Sequence, residues 1–492
     1  MITRGVDYIP DVQCGDRMTV NPETPAKVLF LYTPQAQCRV SMKRLLLLIW
    51  LLCLGSVVDA APAYYVPVTV TYTSCGASQI TNWAMVTIQT QTYLKTVANG
   101  GDVQNVNGYD IIPWGTLTGS TLSNQLNWEV EYYSATAGTW IAWIETTCAV
   151  TSGTQTVIYV SLDDPTITTQ QNTPFATWDT HFAGVYHFAA GTSVSLVDST
   201  VNARNGVAIG GPAAITGQID GGIGFNGTSQ GVNLGDGTFN GAMSGASGIT
   251  LEAWAYFNSF NGSAGIIILF YQSGTAVGGK FIFSVGSTVQ IGGRSTSTDA
   301  YQFLNAASGI GTGTWAYVVG VLDFGPGGGS ITIYVNGAVS ASGSATFGSS
   351  TYVPGSPTAG FFDAAGASQN AGGSLTNYLN GEMDELRLSA AVRSSSYITA
   401  SYNNQSSPTT FPSWGSLTAL SSCPLAPSLT LLGVGNCAGD LFEWLTDRGR
   451  WVWNRLSPFA HQPPVQASIG RSLPEWRREL ARRPASRRLT RS

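Results

Sequence analysis

From Tyr64 to Leu162 the chain repeats one device. Short runs of β-branched and aromatic residues alternate with polar ones, and each run soon meets a turn. "YYVPVTV", "WAMVTIQTQTYL", "WEVEYYSA", "TWIAWIETT" and "TQTVIYVSL" follow one another, separated by "NGGD" at Asn99, "NGYD" at Asn107, "TAGT" at Thr136 and "TSGT" at Thr151. A period of two places successive side chains on opposite faces of a strand, and Gly and Asn supply the backbone freedom of the turns. No stretch here has the 3.6-residue period of a helix. Residues 61–165 are therefore expected to form a β-sandwich of about a hundred residues.

A polar connector, 166–181, leads to a second strand-rich region at 182–412. "ITLEAWAYF", "KFIFSVG", "WAYVVGVLDF", "SITIYVNGAVSAS" and "GEMDELRLS" are among its runs. The number of short strands exceeds an immunoglobulin sandwich and suits a jelly roll of two antiparallel sheets. Asn336-Gly337 in "IYVNGAV" predicts a hairpin turn, because both residues tolerate positive φ. "SSSYITASYNN" (Ser394–Asn404) predicts a short helix with Ser as its N-cap. The fold class is all-β: two antiparallel sandwiches, the second a jelly roll.

Composition sets the compartment. Charged residues are 10% of the 492, well below the usual quarter, with 58 Gly, 14 Trp and 20 Tyr. Between Ala61 and Gly439 six basic residues face eighteen acidic ones, a net of −12, so this body repels nucleic acid. From Asp440 onward eleven basic residues face five acidic ones, a net of +6. Residues 413–492 are expected to be a poorly ordered tail with a basic end. At 42–60, "MKRLLLLIWLLCLGSVVDA" has a basic start, an apolar run too short to span a bilayer and small residues before Ala61. It reads as a secretory signal peptide. Residues 1–41 precede it as an unstructured extension, or translation begins at Met42. No membrane span is expected after cleavage.

Cleavage leaves four cysteines, Cys75, Cys148, Cys423 and Cys437. An even number in an oxidising compartment points to disulfides; of three connectivities, Cys75–Cys148 with Cys423–Cys437 is the most local.

Candidate sites are few. In "DSTVNARNG", Asp198, Asn202 and Asn205 offer the oxygen atoms that Ca²⁺ takes, and they are equally the residues that form Asx turns. Trp178, Tyr271, Tyr301 and Phe362 lie near loops, where a ring can stack on a sugar. "NGEMDELRL" (Asn380–Leu388) packs Glu382, Asp384 and Glu385 into four residues. Strict alternation puts Glu382, Asp384, Leu386 and Leu388 on one face and pairs Glu385 with Arg387 on the other.

The order of "GVYHF" (Gly184–Phe188), "DSTVNARNG", "GFNGTSQGVNLG" (Gly224–Gly235), "ITLEAWAYF", "GTWAYVVGVLD", "IYVNG" and "NGEMDELRLS" resembles the laminin-G-like, concanavalin A-type jelly roll of bacterial surface proteins. The likeness spans about Phe182–Phe411. The region before it resembles an uncharacterised β domain that commonly precedes such jelly rolls. This resemblance implies a secreted, extracellular or cell-surface protein (or a periplasmic one) that binds a glycan or a surface protein through jelly-roll loops, without catalysis. Calcium binding is frequent in that family.

Two other functions remain open at this level. Concanavalin-like glycosidases of the laminarinase type carry Glu-x-Asp-x-Glu on a strand, so that two glutamates reach one cleft. Here the third position is Leu386, and a displaced pair such as Glu252 with Glu382 would have to serve. A structural role in a surface appendage or virion is the other. The oligomeric state is not legible.

Overall fold

The structure, a computed structural model, describes residues 62–420 apart from 72–74, 150–154, 189–192, 236–237, 261, 270–279, 327–328, 356–359 and 371–372. The extension, the signal segment, Cys423, Cys437 and the basic tail lie outside the described residues. None of the described helices is long and apolar enough to cross a membrane.

The first sandwich is built from β1 (Tyr64–Val70), β2 (Ile80–Thr90), β3 (Ile112–Thr118), β4 (Thr121–Gln125), β5 (Trp128–Ser134), β6 (Thr139–Cys148) and β7 (Thr156–Leu162). One sheet runs β1-β7-β3-β4, and the other β2-β6-β5. Val66, Val68 and Val70 alternate inward along β1, while Trp83, Trp128, Trp140 and Trp143 are buried. Cys75 and Cys148 form a disulfide across 73 residues. Closing a loop of that length removes enough unfolded-chain entropy to contribute roughly 4 kcal/mol.

The chain returns to this sandwich after completing the second one. β25 (Pro412–Trp414) and β26 (Thr418–Ala419) both pair antiparallel with β1. Residues 413–419, expected from the sequence to begin a poorly ordered tail, instead extend the first sheet at its β1 edge. β1 had an unpaired side for them, and "PSW" is too short and Pro-marked to announce a strand locally.

The second sandwich contains β8 (Phe182–Tyr186), β9 (Val207–Ile209), β10 (Ala213–Thr216), β11 (Gly221–Asn226), β12 (Gly231–Asn233), β13 (Gly248–Phe257), β14 (Ser263–Leu269), β15 (Lys280–Val285), β16 (Thr288–Gly293), β17 (Gln302–Asn305), β18 (Trp315–Asp323), β19 (Gly329–Val335), β20 (Ala338–Ala345), β21 (Ala364–Ala365), β22 (Ser368–Gln369), β23 (Leu375–Thr376) and β24 (Asn380–Ser389). Its front sheet runs β10-β11-β24-β13-β18-β19-β20, with β8 also on β24; its back sheet runs β17-β16-β15-β14-β21-β12-β9. Leu251, Ala253, Ala255 and Phe257 of β13 alternate into the core between the sheets. The Asn336-Gly337 turn closes the β19–β20 hairpin with φ of 52° and 75°.

Helix α1 (Pro174–Thr177) lies in the connector, α2 (Thr238–Met243) follows β12, and α3 (Ser395–Ser406) follows β24. The Ser394 hydroxyl caps α3 by accepting from Tyr397 N. α3 joins the two sandwiches. Asn404 accepts from Val86 N and donates to Val86 O, both at 2.8 Å, so one side-chain amide satisfies both backbone groups of Val86 on the edge of β2. On its other side Gln405 accepts from Trp254 Nε1 at 2.7 Å.

The outer face of the front sheet is consequently not a solvent face. Val185, Trp254, Tyr317, Val319 and Tyr334 share one buried cluster with Trp83, Trp143, Tyr397 and Ile398. The two sandwiches are welded through a continuous apolar core.

Candidate functional site

β24 lies centrally in the front sheet, and its neighbour changes midway. Asn380–Met383 pair with β11, and Leu386–Ser389 pair with β8. Against β13 on the other side, Asp384 faces Trp254 and Arg387 faces Glu252, so the register slips by one residue between them. This is a β-bulge, with Glu385 at φ +51°. The slip changes the faces. Met383, Leu386 and Leu388 point into the jelly-roll core. Asp384, Glu385 and Arg387 are buried, but outside that core, toward the first sandwich.

The alternation expected from the sequence is therefore corrected: Asp384 does not share a face with Leu386 and Leu388. The pairing of Glu385 with Arg387 does form, at 2.6 Å, and it is almost wholly buried.

Around this pair the two sandwiches assemble a polar cluster. His187 Nδ1 donates to Glu385 Oε1 at 2.8 Å, and its Nε2 lies 3.4 Å from Glu129 of β5. Glu129 also accepts from Trp178 Nε1 at 2.8 Å and Ser199 Oγ at 2.6 Å; Glu131 accepts from Trp143 Nε1 at 2.8 Å. The Arg387 guanidinium lies 4.4 Å from the Trp143 ring and 5.0 Å from that of Trp178, and His187 stacks on Trp143. Tyr317 donates its hydroxyl to Glu252. Trp178, a candidate sugar platform by sequence, is thus a wall of this cluster. Its neighbours were invisible in the sequence because they lie on strands far apart in the chain.

The charges sort by environment. Burial works against a charge on His187, but Glu385 and Glu129 outweigh it and hold the imidazole pKa well above its ordinary value. Burial likewise opposes ionised Glu385, yet His187 and Arg387 keep its carboxyl below the usual range. Among the described residues Asp384 has no cation paired with it, and Glu131 has only His187, at 4.0 Å. Burial first, then Glu385, pushes Asp384 well up; burial also dominates at Glu131, where the nearby His187 compensates only in part. Glu252 is raised by burial despite Arg387 and Tyr317.

One ligand atom each from Glu131, His187 and Glu385 falls within 4.8 Å of the others. That donor set suits a divalent cation in principle. Here both Glu385 oxygens are engaged by His187 and Arg387, so the protein's own cations occupy the set.

The hydrolase geometry is not assembled by the residues considered from sequence. Glu252 stands opposite Arg387 and Glu382 opposite Tyr256, four positions further along β13. Their backbones are about 13 Å apart at the rise of a strand. Glycosidase carboxyls sit roughly 5–9.5 Å apart across a cleft. Glu382 is partly exposed, with burial raising its pKa, whereas Glu252 is sealed in the seam.

The Asp198 loop holds its candidate oxygens in hydrogen bonds of its own. Asp198 Oδ1 accepts from Val185 N and Thr200 N, and Oδ2 accepts from Thr200 Oγ1 and Arg204 N. Asn205 Oδ1 accepts from Asp198 N, while Asn202 turns its Nδ2 donor to Phe182 O. Four of these donors to the Asp198 and Asn205 oxygens are backbone N–H groups and the fifth is the Thr200 hydroxyl. Tyr301 is covered by Arg294, whose guanidinium lies 3.7 Å from the ring centre; Phe362 is partly buried, and Tyr271 lies outside the described residues.

Among solved structures, the chain is similar to domain 4 of AbnA, a GH43 extracellular arabinanase from Geobacillus stearothermophilus, in complex with arabinotriose. Identity is 17%, over 44% of this chain and 96% of that one, with a TM-score of 0.32. It is similar also to the CBM40 of Ruminococcus gnavus IT-sialidase bound to α2,3 sialyllactose, with 13% identity, 38% and 96% coverage and a TM-score of 0.30. The native heptameric SAP-like pentraxin from Limulus polyphemus gives 16%, 36% and 81%, with a TM-score of 0.26. No curated protein matches this chain. Residues 226–399 match the family model Laminin_G_3, described as the concanavalin A-like lectin/glucanases superfamily. The second sandwich is therefore a laminin-G-like domain of the concanavalin A type.

Proposed function

We propose that this chain is an extracellular, non-catalytic glycan-binding protein. The observation that carries the reading is the bulge in β24. It turns Asp384 and Glu385, the carboxylates nearest to a hydrolase motif, into a dry seam between two sandwiches, where hydrogen bonds and Arg387 hold them. A group buried and paired in that way cannot approach a glycosidic oxygen. The family match to a superfamily of lectins and glucanases supports a saccharide as the ligand class. The welded pair of sandwiches gives a rigid scaffold, and its exposed loops, those of the jelly roll included, are the surfaces on which recognition varies.

A secreted location agrees with the Cys75–Cys148 disulfide, which needs an oxidising compartment. The test is a glycan array probed with the purified protein, run beside a reducing-sugar assay on β-glucans. Retention of one glycan class without release of reducing ends is expected. Hydrolysis that Glu382→Gln abolishes would replace this reading with an enzymatic one.

A further inference from the structure

The first sandwich has a cleft of about 290 Å³. Its floor is β5, with Trp128, Tyr132 and Tyr133; one wall is the loop carrying Asn107 and Tyr109, and the other is the connector at Asn172. Two other clefts, one beside Asn124 and Glu145 and one beside Asp323 and Thr346, contain no aromatic ring.

The walls are built, not loose. Asp110, fully buried, accepts from Gln104 N at 2.8 Å, Asn105 N at 2.9 Å and Asp163 N at 3.2 Å, which locks the loop. Gly108, at φ +72°, lays its backbone against the Tyr133 ring, where a Cβ would come within 2.9 Å. The Tyr133 hydroxyl is itself tied to Leu94 O at 2.8 Å. Across the cleft, Thr173 N donates to Trp128 O at 2.9 Å and anchors the connector. Tyr132 nevertheless stays 43% exposed, and Trp128 Nε1, in a residue only 1% exposed, has no hydrogen-bond partner among the described residues.

The chemistry of the lining narrows the ligand. Tyrosine rings offer flat apolar faces to the C–H faces of a pyranose, and side-chain amides match hydroxyls as both donors and acceptors. Among the described residues no Lys or Arg lines the cleft, and the Glu131 side chain, 2% exposed, is turned into the seam, where it accepts from Trp143 Nε1. A sialylated or sulfated sugar would find no counter-charge there. Walls held rigid before binding spare the ligand the cost of ordering them.

We propose that this cleft is a binding site for a neutral saccharide unit, placed on the first sandwich instead of on the jelly-roll loops. The assignment rests on the glycan-binding reading above and adds both its location and its ligand class. The full chain is titrated with maltotriose, cellotriose, arabinotriose and 3′-sialyllactose by calorimetry, after an array has chosen any further neutral trisaccharide. At least one neutral trisaccharide binds, Tyr132→Ala weakens it at least tenfold and Asn172→Ala several-fold, whereas Phe303→Ala on the jelly roll changes nothing. Tyr132 is exposed and Asn172 half-buried, and an unchanged Tm confirms that each variant is folded. Neutral-sugar binding that survives both cleft variants overturns the site but leaves the glycan reading standing. Binding of 3′-sialyllactose alone overturns the neutral class. No saccharide bound on the array or in solution removes the site and the glycan reading together.

Discussion

Glu385 sits between two cations: His187 Nδ1 lies 2.8 Å from one of its oxygens and Arg387 Nη2 lies 2.6 Å from the other. All three side chains are nearly inaccessible to water, and Glu129 reaches His187 from the opposite sandwich. The positive φ of Glu385 is tolerated because both carboxylate oxygens are held in this way. Removing one partner of such a set leaves an uncompensated buried charge. Glu385→Ala is expected to destabilise the protein by about 3–5 kcal/mol in urea denaturation, and His187→Ala by somewhat less because Arg387 remains paired. A loss under 1 kcal/mol for Glu385→Ala would show that the cluster contributes little to joining the sandwiches.

Stability should fall as pH rises above mildly acidic values. His187 has a raised pKa when folded, so its contribution is complete below its ordinary value of 6.5 and is lost as pH climbs through the higher folded value. Asp384 and Glu131 act in the same direction. Their folded values lie above the ordinary 3.8 and 4.5, so the native state binds more protons than the unfolded chain over the interval between. Glu385 acts the other way, but only as pH falls below its ordinary 4.5. The Tm of the wild type should therefore decline as pH rises above 6.5, and Asp384→Asn should lose less stability than the wild type between pH 4 and pH 9. Parallel slopes would contradict the assignment of Asp384 to this effect.

Calcium should leave the protein unchanged. The Asp198 carboxylate already accepts four hydrogen bonds from its own loop and from β8. Asp198→Ala strands those donors and should cost about 3 kcal/mol. Neither millimolar calcium nor EDTA should move the wild-type Tm. A calcium-dependent rise that Asp198→Ala removes would reinstate a metal at this loop.

Gly381 should accept no side chain. A Cβ there would stand 1.9 Å from the carbonyl oxygen of Tyr256, on the neighbouring central strand. Because β24 and β13 cannot separate without breaking the front sheet, Gly381→Ala should destabilise by about 3 kcal/mol, seen as a lower urea midpoint. Gly211→Ala, in open space though at φ +68°, is the control and should cost far less.

Much of the architecture was legible along the chain. Runs of β-branched and aromatic residues bounded by turns marked the long strands β2, β6, β13 and β18, even though β13 and β18 are buried on both faces. Asn336-Gly337 announced its hairpin, Ser394 its helix cap, and the ordered motifs the jelly roll. Those features depend on neighbours a few residues away. The short strands β25 and β26 were missed for the opposite reason: what makes them strands is the vacant edge of β1, some 350 positions earlier.

The candidate site illustrates the same division. Its residue types were in view, and the Glu385–Arg387 pair was read from spacing alone. The direction in which Asp384 points was not. Period-two counting holds only while the ladder is regular, and here β24 slips one residue where its partner changes from β11 to β8. Local chemistry dictated that there would be strands, turns and carboxylates. Only the packing of one sandwich on another decided that those carboxylates would be sealed in a joint, because burial and pairing are properties of residues brought together from distant parts of the chain.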